Sequence, residues 1–407
     1  MIIFKPFKST YLLLFLLLNY QLISCAQKPK EAIKTEVKKS VILKTGAERT
    51  SLYLALLKGK NVAVVGNQTS ILEKIKEKKE FVNLIDSLLS LGIKIKKVFA
   101  PEHGFRGKAD AGETIKDGFD TKTGLPIVSL YGKNKKPSAE QLKNIDIIVF
   151  DIQDVGARFY TYISSLHYVM EACAEAGIPV IILDRPNPNG YYIDGPVLEL
   201  KHKSFVGMHK VPVVYGMTIG EYGKMINGEK WLKNGIHCNL TVIPLENYNH
   251  KTRYSLPVKP SPNLPNDKSI NLYPSLCFFE GTNVSAGRGT EMQFQIYGSP
   301  FLTKSEFSYT PKQNDGAKYP KHKNKLCFGE NLQRAKNLNQ LNLSWLLKAY
   351  NQNSSKEFFN NFFTKLAGTE KLQQQIEKSF SEEEIKKTWE EDLTVFKKIR
   401  NKYLIYR

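Results

Sequence analysis

The chain has 407 residues, of which 59 are Lys or Arg and 39 are Asp or Glu, so its formal net charge is +20. Apolar residues make up 42% and charged residues 24%, which excludes a collagen-like, mucin-like or wholly disordered chain and a polytopic membrane protein. Five cysteines in this length also exclude a small disulfide-stapled scaffold. A basic protein of about two domains remains.

The first 25 residues have the pattern of an export signal. Lys5 and Lys8 precede an apolar stretch over 11–18 that is too short to span a bilayer comfortably. The stretch Leu-Ile-Ser-Cys at 22–25 resembles a bacterial lipobox, which would make Cys25 the lipidated first residue of the mature chain. An ordinary secretory signal with a chance cysteine is the alternative.

These features predict a lipoprotein signal peptide over 1–24 and a Lys-rich tether over 25–45. The folded part is then held in the cell envelope by a lipid anchor, outside the cytoplasm. Ala26 is not an acidic inner-membrane retention signal, which favours the outer membrane, facing the periplasm.

Beyond the tether, short apolar runs alternate with stretches of helical periodicity. The predicted strands cover 61–66, 96–100, 126–130, 145–150 and 178–183. One predicted helix spans the apolar positions from Phe81 to Leu89 and stops at Gly92, and a second spans Ile163 to Cys173 and stops at Gly177. Because the strands are continuously apolar, the pattern predicts an α/β fold with a mostly parallel, Rossmann-like sheet covered on both faces.

Each predicted strand runs into polar or glycine-rich sequence. The candidate site residues at these points are Asn67, Glu102, His103, Arg106, Asp151, Asp154, Arg158, Asp184 and Asn187. Since ligands of open α/β sheets bind at the carboxyl ends of the strands, we expect a cleft there. No GxGxxG follows the first strand and no GxxxxGK[ST] occurs, so we expect no nucleotide cofactor.

The residue types after the second strand suit acid–base chemistry. Glu102 lies between Pro101 and His103, a rigid, partly desolvated position that suits the general acid of a glycosidase; a salt-bridged loop carboxylate is the alternative. His103 is a candidate to orient Glu102 or to act as an acid or base itself. A loop histidine with satisfied hydrogen bonds and no catalytic role is an equally good interpretation. Arg106 and Arg158 are candidates to grip a carboxylate or to pair with a nearby Asp. No metal-ligand spacing is present, so we expect no metal.

Longer blocks in the same order resemble the NamZ-type exo-β-N-acetylmuramidase family, formerly a family of unknown function. They include PEHGFRG at 101–107, DIQDVGARFYTY at 151–162, DRPNPNG at 184–190, GMTIGEY at 216–222 and EGTNVSAGRGT at 280–290. The resemblance covers nearly the whole chain beyond the tether.

The resemblance implies an exo-acting glycoside hydrolase that releases terminal β-1,4-linked N-acetylmuramic acid from the non-reducing end of peptidoglycan fragments. Its partners would be MurNAc-GlcNAc saccharides, with no nucleic acid. It also implies a Rossmann-like catalytic domain and a smaller α+β C-terminal domain that completes the cleft. The proline-dense segment 257–262 places these domains at 46–257 and 258–407, and 301–330 is predicted as a surface hairpin or loop.

The resemblance also implies residue roles. Glu102 is the expected general acid, and Asp151, Asp154 and His103 are candidates for the second catalytic group. The candidate substrate-binding residues are Asn67, Arg106, Arg158, Tyr160, Asp184, Asn187, Glu280, Asn283 and Arg288. The rival is a non-catalytic peptidoglycan-binding lipoprotein, and an acyl-transfer enzyme or amidase is disfavoured by the missing nucleophile motifs. Retention or inversion at the anomeric carbon stays open.

Overall fold

The structure, a computed structural model, describes Met1, Ile3 and residues 42–75, 80–106 and 117–407. Ile42–Arg407 form one compact unit. The predicted signal peptide beyond its first residues, Cys25 and most of the tether lie outside the described residues. Within the described part of the chain, no helix has the length and apolar character needed to cross a membrane.

The strands of the described chain are short. They are β1 (Val62–Gly66), β2 (Ile71–Ile75), β3 (Glu80–Asn83), β4 (Ile95–Ala100), β5 (Gly118–Phe119), β6 (Pro126–Ser129), β7 (Ile147–Asp151), β8 (Val180–Leu183), β9 (Leu240–Ile243), β10 (Ile296–Ser299), β11 (Ser308–Tyr309) and β12 (Cys327–Asn331). Seven of them form one sheet in the order β5-β6-β4-β1-β7-β8-β9. All neighbours in this sheet are parallel except β5 and β6.

Helices cover the sheet and make up most of the C-terminal part. They are α1 (Leu54–Leu57), α2 (Leu84–Ser90), α3 (Ala139–Leu142), α4 (Tyr162–Ala176), α5 (Ile219–Gly228), α6 (Asp267–Leu276), α7 (Ser344–Gln352), α8 (Phe363–Ala367), α9 (Lys371–Glu377), α10 (Glu382–Lys387) and α11 (Glu390–Asn401). Short 3-10 helices span Thr50–Leu52, Leu200–His202, Lys233–Gly235 and Cys277–Gly281.

Both faces of the parallel sheet are buried, as the continuous apolar runs predict. In β1, Val62 and Val64 belong to one hydrophobic cluster while Ala63 and Val65 belong to another. Side chains alternate between the two faces of a strand, so a strand covered on both sides needs apolar residues at every position. The predicted α/β class with a mostly parallel sheet is confirmed.

One predicted helix begins later than expected. Phe81 lies in β3, which pairs antiparallel with β2, and α2 starts at Leu84 after Asn83, whose side chain accepts a hydrogen bond from the Ile85 amide. The helix predicted from Ile163 onward is α4, and Gly177 ends it in the left-handed conformation with φ +68°, which glycine adopts at little cost.

The C-terminal part is the smaller α+β portion that the sequence predicts. Its antiparallel sheet has the order β10-β12-β11, and its helices share a continuous hydrophobic cluster with the parallel sheet. The proline-dense segment is held against the N-terminal part, because the Tyr160 hydroxyl donates to the Pro260 carbonyl at 2.9 Å. The division at 257/258 stays a prediction.

Candidate active site

A cavity of about 690 Å³ lies where the two parts of the chain meet. Glu102 and His103, just beyond β4, line it together with Tyr131, just beyond β6, and with Tyr160 and Thr161, just before α4. The remaining lining comes mainly from segments 261–294 and 317–321 of the C-terminal part. Both predicted portions therefore contribute to one site.

Glu102 is fixed by the start of a helix. Its Oε2 accepts a hydrogen bond from the Thr161 hydroxyl at 2.6 Å. Thr161 is the N-cap residue of α4 and makes no side-chain bond to its own helix, so its hydroxyl serves the carboxylate instead.

The loop after β4 bends sharply at His103. His103 has φ +73°, a conformation that side chains other than glycine rarely adopt, and Gly104 has the same φ. The Gly104 amide donates to the Pro101 carbonyl at 3.0 Å, which closes the turn. A non-glycine residue in this region costs about 1–3 kcal/mol, and here the turn places Glu102 and the buried His103 side by side on the cavity.

Aromatic rings form one wall of the cavity. Tyr273 packs edge-on against Phe159, Tyr160 and Phe294, with ring centroids 5.4, 5.8 and 4.9 Å apart. Such edge-to-face packing holds each ring in a defined orientation. The wall therefore offers a rigid apolar surface beside the acid–base groups of the β4 loop, a composition typical of small-ligand sites.

Two cationic groups of the C-terminal part already have partners. Arg288 Nε lies 3.1 Å from Glu280 Oε1. Burial works to lower the pKa of Arg288, but Glu280, Tyr273 and Cys277 together outweigh burial, so the pKa is raised. Lys321 donates through Nζ to the carbonyls of Phe279, Thr282 and Val284. Burial lowers the pKa of Lys321.

The structure brings together only part of the predicted site. Of the predicted residues, the cavity lining includes Glu102, His103, Tyr160, Glu280 and Arg288. The others lie outside this lining and are Asn67, Arg106, Asp151, Asp154, Arg158, Asp184, Asn187 and Asn283. The expected single cleft over all five strand ends therefore differs from the one observed.

Asp151 and Asp154 are buried away from the cavity lining. Asp151 is fully buried and forms a bidentate ion pair with Arg185, at 2.6 Å to Nε and 2.9 Å to Nη2. Burial raises the pKa of Asp151, with Arg185 opposing the shift. Asp154 accepts hydrogen bonds from the Tyr215 hydroxyl and the Gly156 amide, and burial raises its pKa to about 7.

Asn67, Asp184 and Asn187 are also engaged within the protein. Asn67 donates to the Tyr162 hydroxyl at 2.9 Å. Asp184 accepts from the hydroxyls of Thr218 and Tyr406, and Asn187 donates to the Met217 carbonyl. These contacts join strand ends to neighbouring loops.

The predicted carboxylate-binding arginines have internal partners too. Arg158 is fully buried and donates to four backbone carbonyls, including those of Leu366 and Ala367. Arg106 pairs with Asp120 at 2.7 Å. Asn283 donates to the Asn353 side chain and to the Glu357 carbonyl.

Several lining residues were not singled out by the sequence. Thr161 lies inside the DIQDVGARFYTY block, but nothing in the pattern points to its bond with Glu102. Tyr319 and Lys321 come from the stretch predicted as a surface loop, yet they line the cavity. Among the described residues there is no group of three His, Cys, Asp or Glu side chains placed to hold a metal ion.

Family models match almost the whole described unit. The model for the N-terminal part of the exo-β-N-acetylmuramidase NamZ matches residues 62–268, and the model for its C-terminal part matches 271–406. The chain belongs to the NamZ exo-β-N-acetylmuramidase family. The peptidoglycan β-N-acetylmuramidase NamZ of Bacillus subtilis is 39% identical over 384 residues, which cover 87% of this chain and 89% of that protein.

Two solved structures have the same fold, and both are DUF1343 family proteins of Bacteroides fragilis. One is 45% identical with a TM-score of 0.82, and the match covers 90% of this chain and 99% of the chain of that structure. The other is 28% identical with a TM-score of 0.77, and the match covers 90% of this chain and 100% of the chain of that structure. The family models and the Bacillus subtilis relative confirm the predicted family and glycosidase class.

Proposed function

We propose that this protein hydrolyses the terminal β-1,4-linked N-acetylmuramic acid at the non-reducing end of peptidoglycan-derived saccharides, with Glu102 as the general acid. The observation that carries the assignment is the position of Glu102. Its carboxylate lies in the cavity, is oriented by Thr161, and neighbours the aromatic wall. Within the described lining, Glu280 is the other carboxylate, and it is paired with Arg288.

In this mechanism Glu102 protonates the glycosidic oxygen as the bond to the leaving sugar breaks, while a water molecule supplies the hydroxyl group that the anomeric carbon gains and the proton that restores Glu102. The Thr161 hydroxyl fixes the orientation of the carboxyl group, which lowers the entropic cost of reaching the transition state. The apolar face of the muramic ring packs on the aromatic wall, and the cavity excludes bulk water from the developing charge.

We assign the supporting acid–base role to His103. It is the one candidate for the second catalytic group that lines the cavity, since Asp151 is paired with Arg185 and Asp154 lies outside the lining. The strained turn at His103 supports this assignment, because strained backbone is typical of functional residues.

The direct test is nitrophenol release from the β-linked para-nitrophenyl glycosides of N-acetylmuramic acid and N-acetylglucosamine. We expect turnover of the muramic glycoside only, and a loss of about 10²- to 10⁴-fold in kcat for Glu102→Gln. The control is Glu306→Gln, which removes an exposed carboxylate outside the cavity lining. It should keep wild-type turnover.

The rival function, a peptidoglycan-binding module, predicts a different outcome. A folded protein that binds the muramic sugar but releases no nitrophenol would replace the hydrolase proposal with this rival. Turnover that survives Glu102→Gln would instead remove Glu102 from its role.

We also propose that Cys25 carries a lipid that anchors the protein in the outer membrane, facing the periplasm. The support is the sequence pattern at 22–25, since Cys25 lies outside the described residues. Labelling with a tagged fatty acid should mark the wild type and not Cys25→Ser. Equal labelling of both forms would contradict the anchor.

A further inference from the structure

Within the described lining of the cavity, Lys135 is the cationic side chain that makes no hydrogen bond or ion pair to an acceptor. Three cations line the cavity: Lys135, Arg288 and Lys321. Arg288 is paired with Glu280, and Lys321 donates to three carbonyls. Lys135 Nζ lies 4.6 Å from the centroid of the Phe205 ring, and no ion pair joins it to a carboxylate among the described residues.

The chain topology brings Lys135 to the same side of the site as Glu102. Strands β4 and β6 are adjacent and parallel, with Ala100 opposite Ser129. The Leu130 amide still donates to the Ala100 carbonyl at 2.8 Å, just beyond the last paired residues. The loops that carry Glu102 and Lys135 therefore leave the sheet side by side, and both line the cavity.

The surroundings of Lys135 are apolar on the side of the ring. Phe205 packs against Tyr131 and stacks with Tyr168, at centroid distances of 6.2 and 6.3 Å. Lys135 itself is half-buried. An ammonium group over an aromatic face and partly shielded from water attracts an anion more strongly than an exposed lysine does.

Muramic acid differs from glucosamine by a lactyl ether at O3, which carries one carboxylate and one methyl group. This substituent needs a cation next to an apolar surface. We infer that Lys135 binds the lactyl carboxylate while Phe205 contacts the lactyl methyl group, so that this pair selects muramic over glucosamine sugars. The inference rests on the proposed function, and it gives to Lys135 the role expected of Arg106 or Arg158.

The test is calorimetric titration with three free sugars: N-acetylmuramic acid, its uncharged lactyl amide, and N-acetylglucosamine. We expect the wild type to bind N-acetylmuramic acid roughly 10- to 100-fold more tightly than the other two, as for a charge-assisted hydrogen bond. Lys135→Met should abolish this preference, and Lys135→Arg should retain most of it.

The matched control is Lys133→Met, which removes an exposed lysine of the same loop that does not line the cavity. It should keep the wild-type preference, and thermal unfolding should show all variants folded. Equal binding of the three sugars by the wild type, or a full preference retained in Lys135→Met, would overturn the inference.

Hydrolysis distinguishes this inference from the proposed function. With the muramic nitrophenyl glycoside, Lys135→Met should raise KM roughly 10- to 100-fold and change kcat little. An unchanged KM in an active enzyme would contradict the role of Lys135 and leave the hydrolase proposal standing. Lys135-dependent binding without any turnover would support the role of Lys135 and contradict the hydrolase proposal.

Discussion

Glu102 and Asp151 lie at the carboxyl ends of β4 and β7, which β1 separates in the same sheet, but the two residues differ in their surroundings. Glu102, two residues beyond β4, lines the cavity and is held by Thr161. Asp151, the last residue of β7, is fully buried against Arg185. A carboxylate that follows an apolar strand thus marks the end of the strand. Whether the carboxylate is available for a reaction or stabilises the fold depends on the groups that it bonds to.

The buried region lies where the chain reverses its direction across the sheet. From β1 the order runs outward to β4 and β6 on one side, and β7, β8 and β9 follow on the other. Ligands of open α/β sheets usually bind at such a point. Here the Ser70 hydroxyl donates to the Asp151 carbonyl and the Gln153 amide donates to the Thr69 hydroxyl. Polar groups of the protein therefore bond to one another at the point where a ligand would usually bind.

The largest expected effect of breaking the buried region comes from Arg185→Met. The change leaves the Asp151 carboxylate buried without its partner, which should lower the free energy of unfolding by about 3–5 kcal/mol. Urea denaturation at pH 7 measures it. A loss below about 1 kcal/mol would show that this region is not the framework described.

The pH dependence of stability should report on Asp154. Burial raises the pKa of Asp154 to about 7 in the folded protein, whereas an unfolded aspartate titrates near 3.9. The folded state keeps a proton that the unfolded state has lost, so this residue's contribution to the free energy of unfolding falls as the pH rises from about 4 to about 7.

Asp154→Asn removes that titration. Between pH 4 and pH 8 the stability of the variant relative to wild type should rise by on the order of 3 kcal/mol. Asp315→Asn, at an exposed aspartate, should follow the wild-type profile. Parallel profiles for wild type and Asp154→Asn would contradict the raised pKa.

An exposed ion pair should have the smallest effect. Lys44 Nζ lies 3.3 Å from Glu246 Oε2, and both side chains are more than a third exposed. Glu246→Gln should therefore change the free energy of unfolding by no more than about 1 kcal/mol. A loss as large as that of Arg185→Met would remove the distinction between buried and exposed pairs.

Five strands of the large sheet, β1, β4, β6, β7 and β8, were predictable because burial in a covered sheet favours unbroken apolar runs, as in β1. The position of Glu102 and His103 in the cavity lining was predictable because the signal is local, two titratable residues directly after an apolar strand. The environment of Arg158 was not predictable, because the Arg158 guanidinium donates to the Leu366 carbonyl, 208 residues away in the sequence. Lys321 likewise reaches the cavity through the packing of the C-terminal part, which no local pattern encodes.

The proposed division of roles assigns Glu102 to the reaction and Asp151 to the fold. It is tested most directly by measuring kcat/KM on the muramic glycoside and the free energy of unfolding for Glu102→Gln and Asp151→Asn together. We expect Glu102→Gln to lose at least about 100-fold in kcat/KM with stability within about 1 kcal/mol of wild type. Asp151→Asn should lose about 3 kcal/mol or more of stability. Full turnover in a folded Glu102→Gln protein would contradict the account.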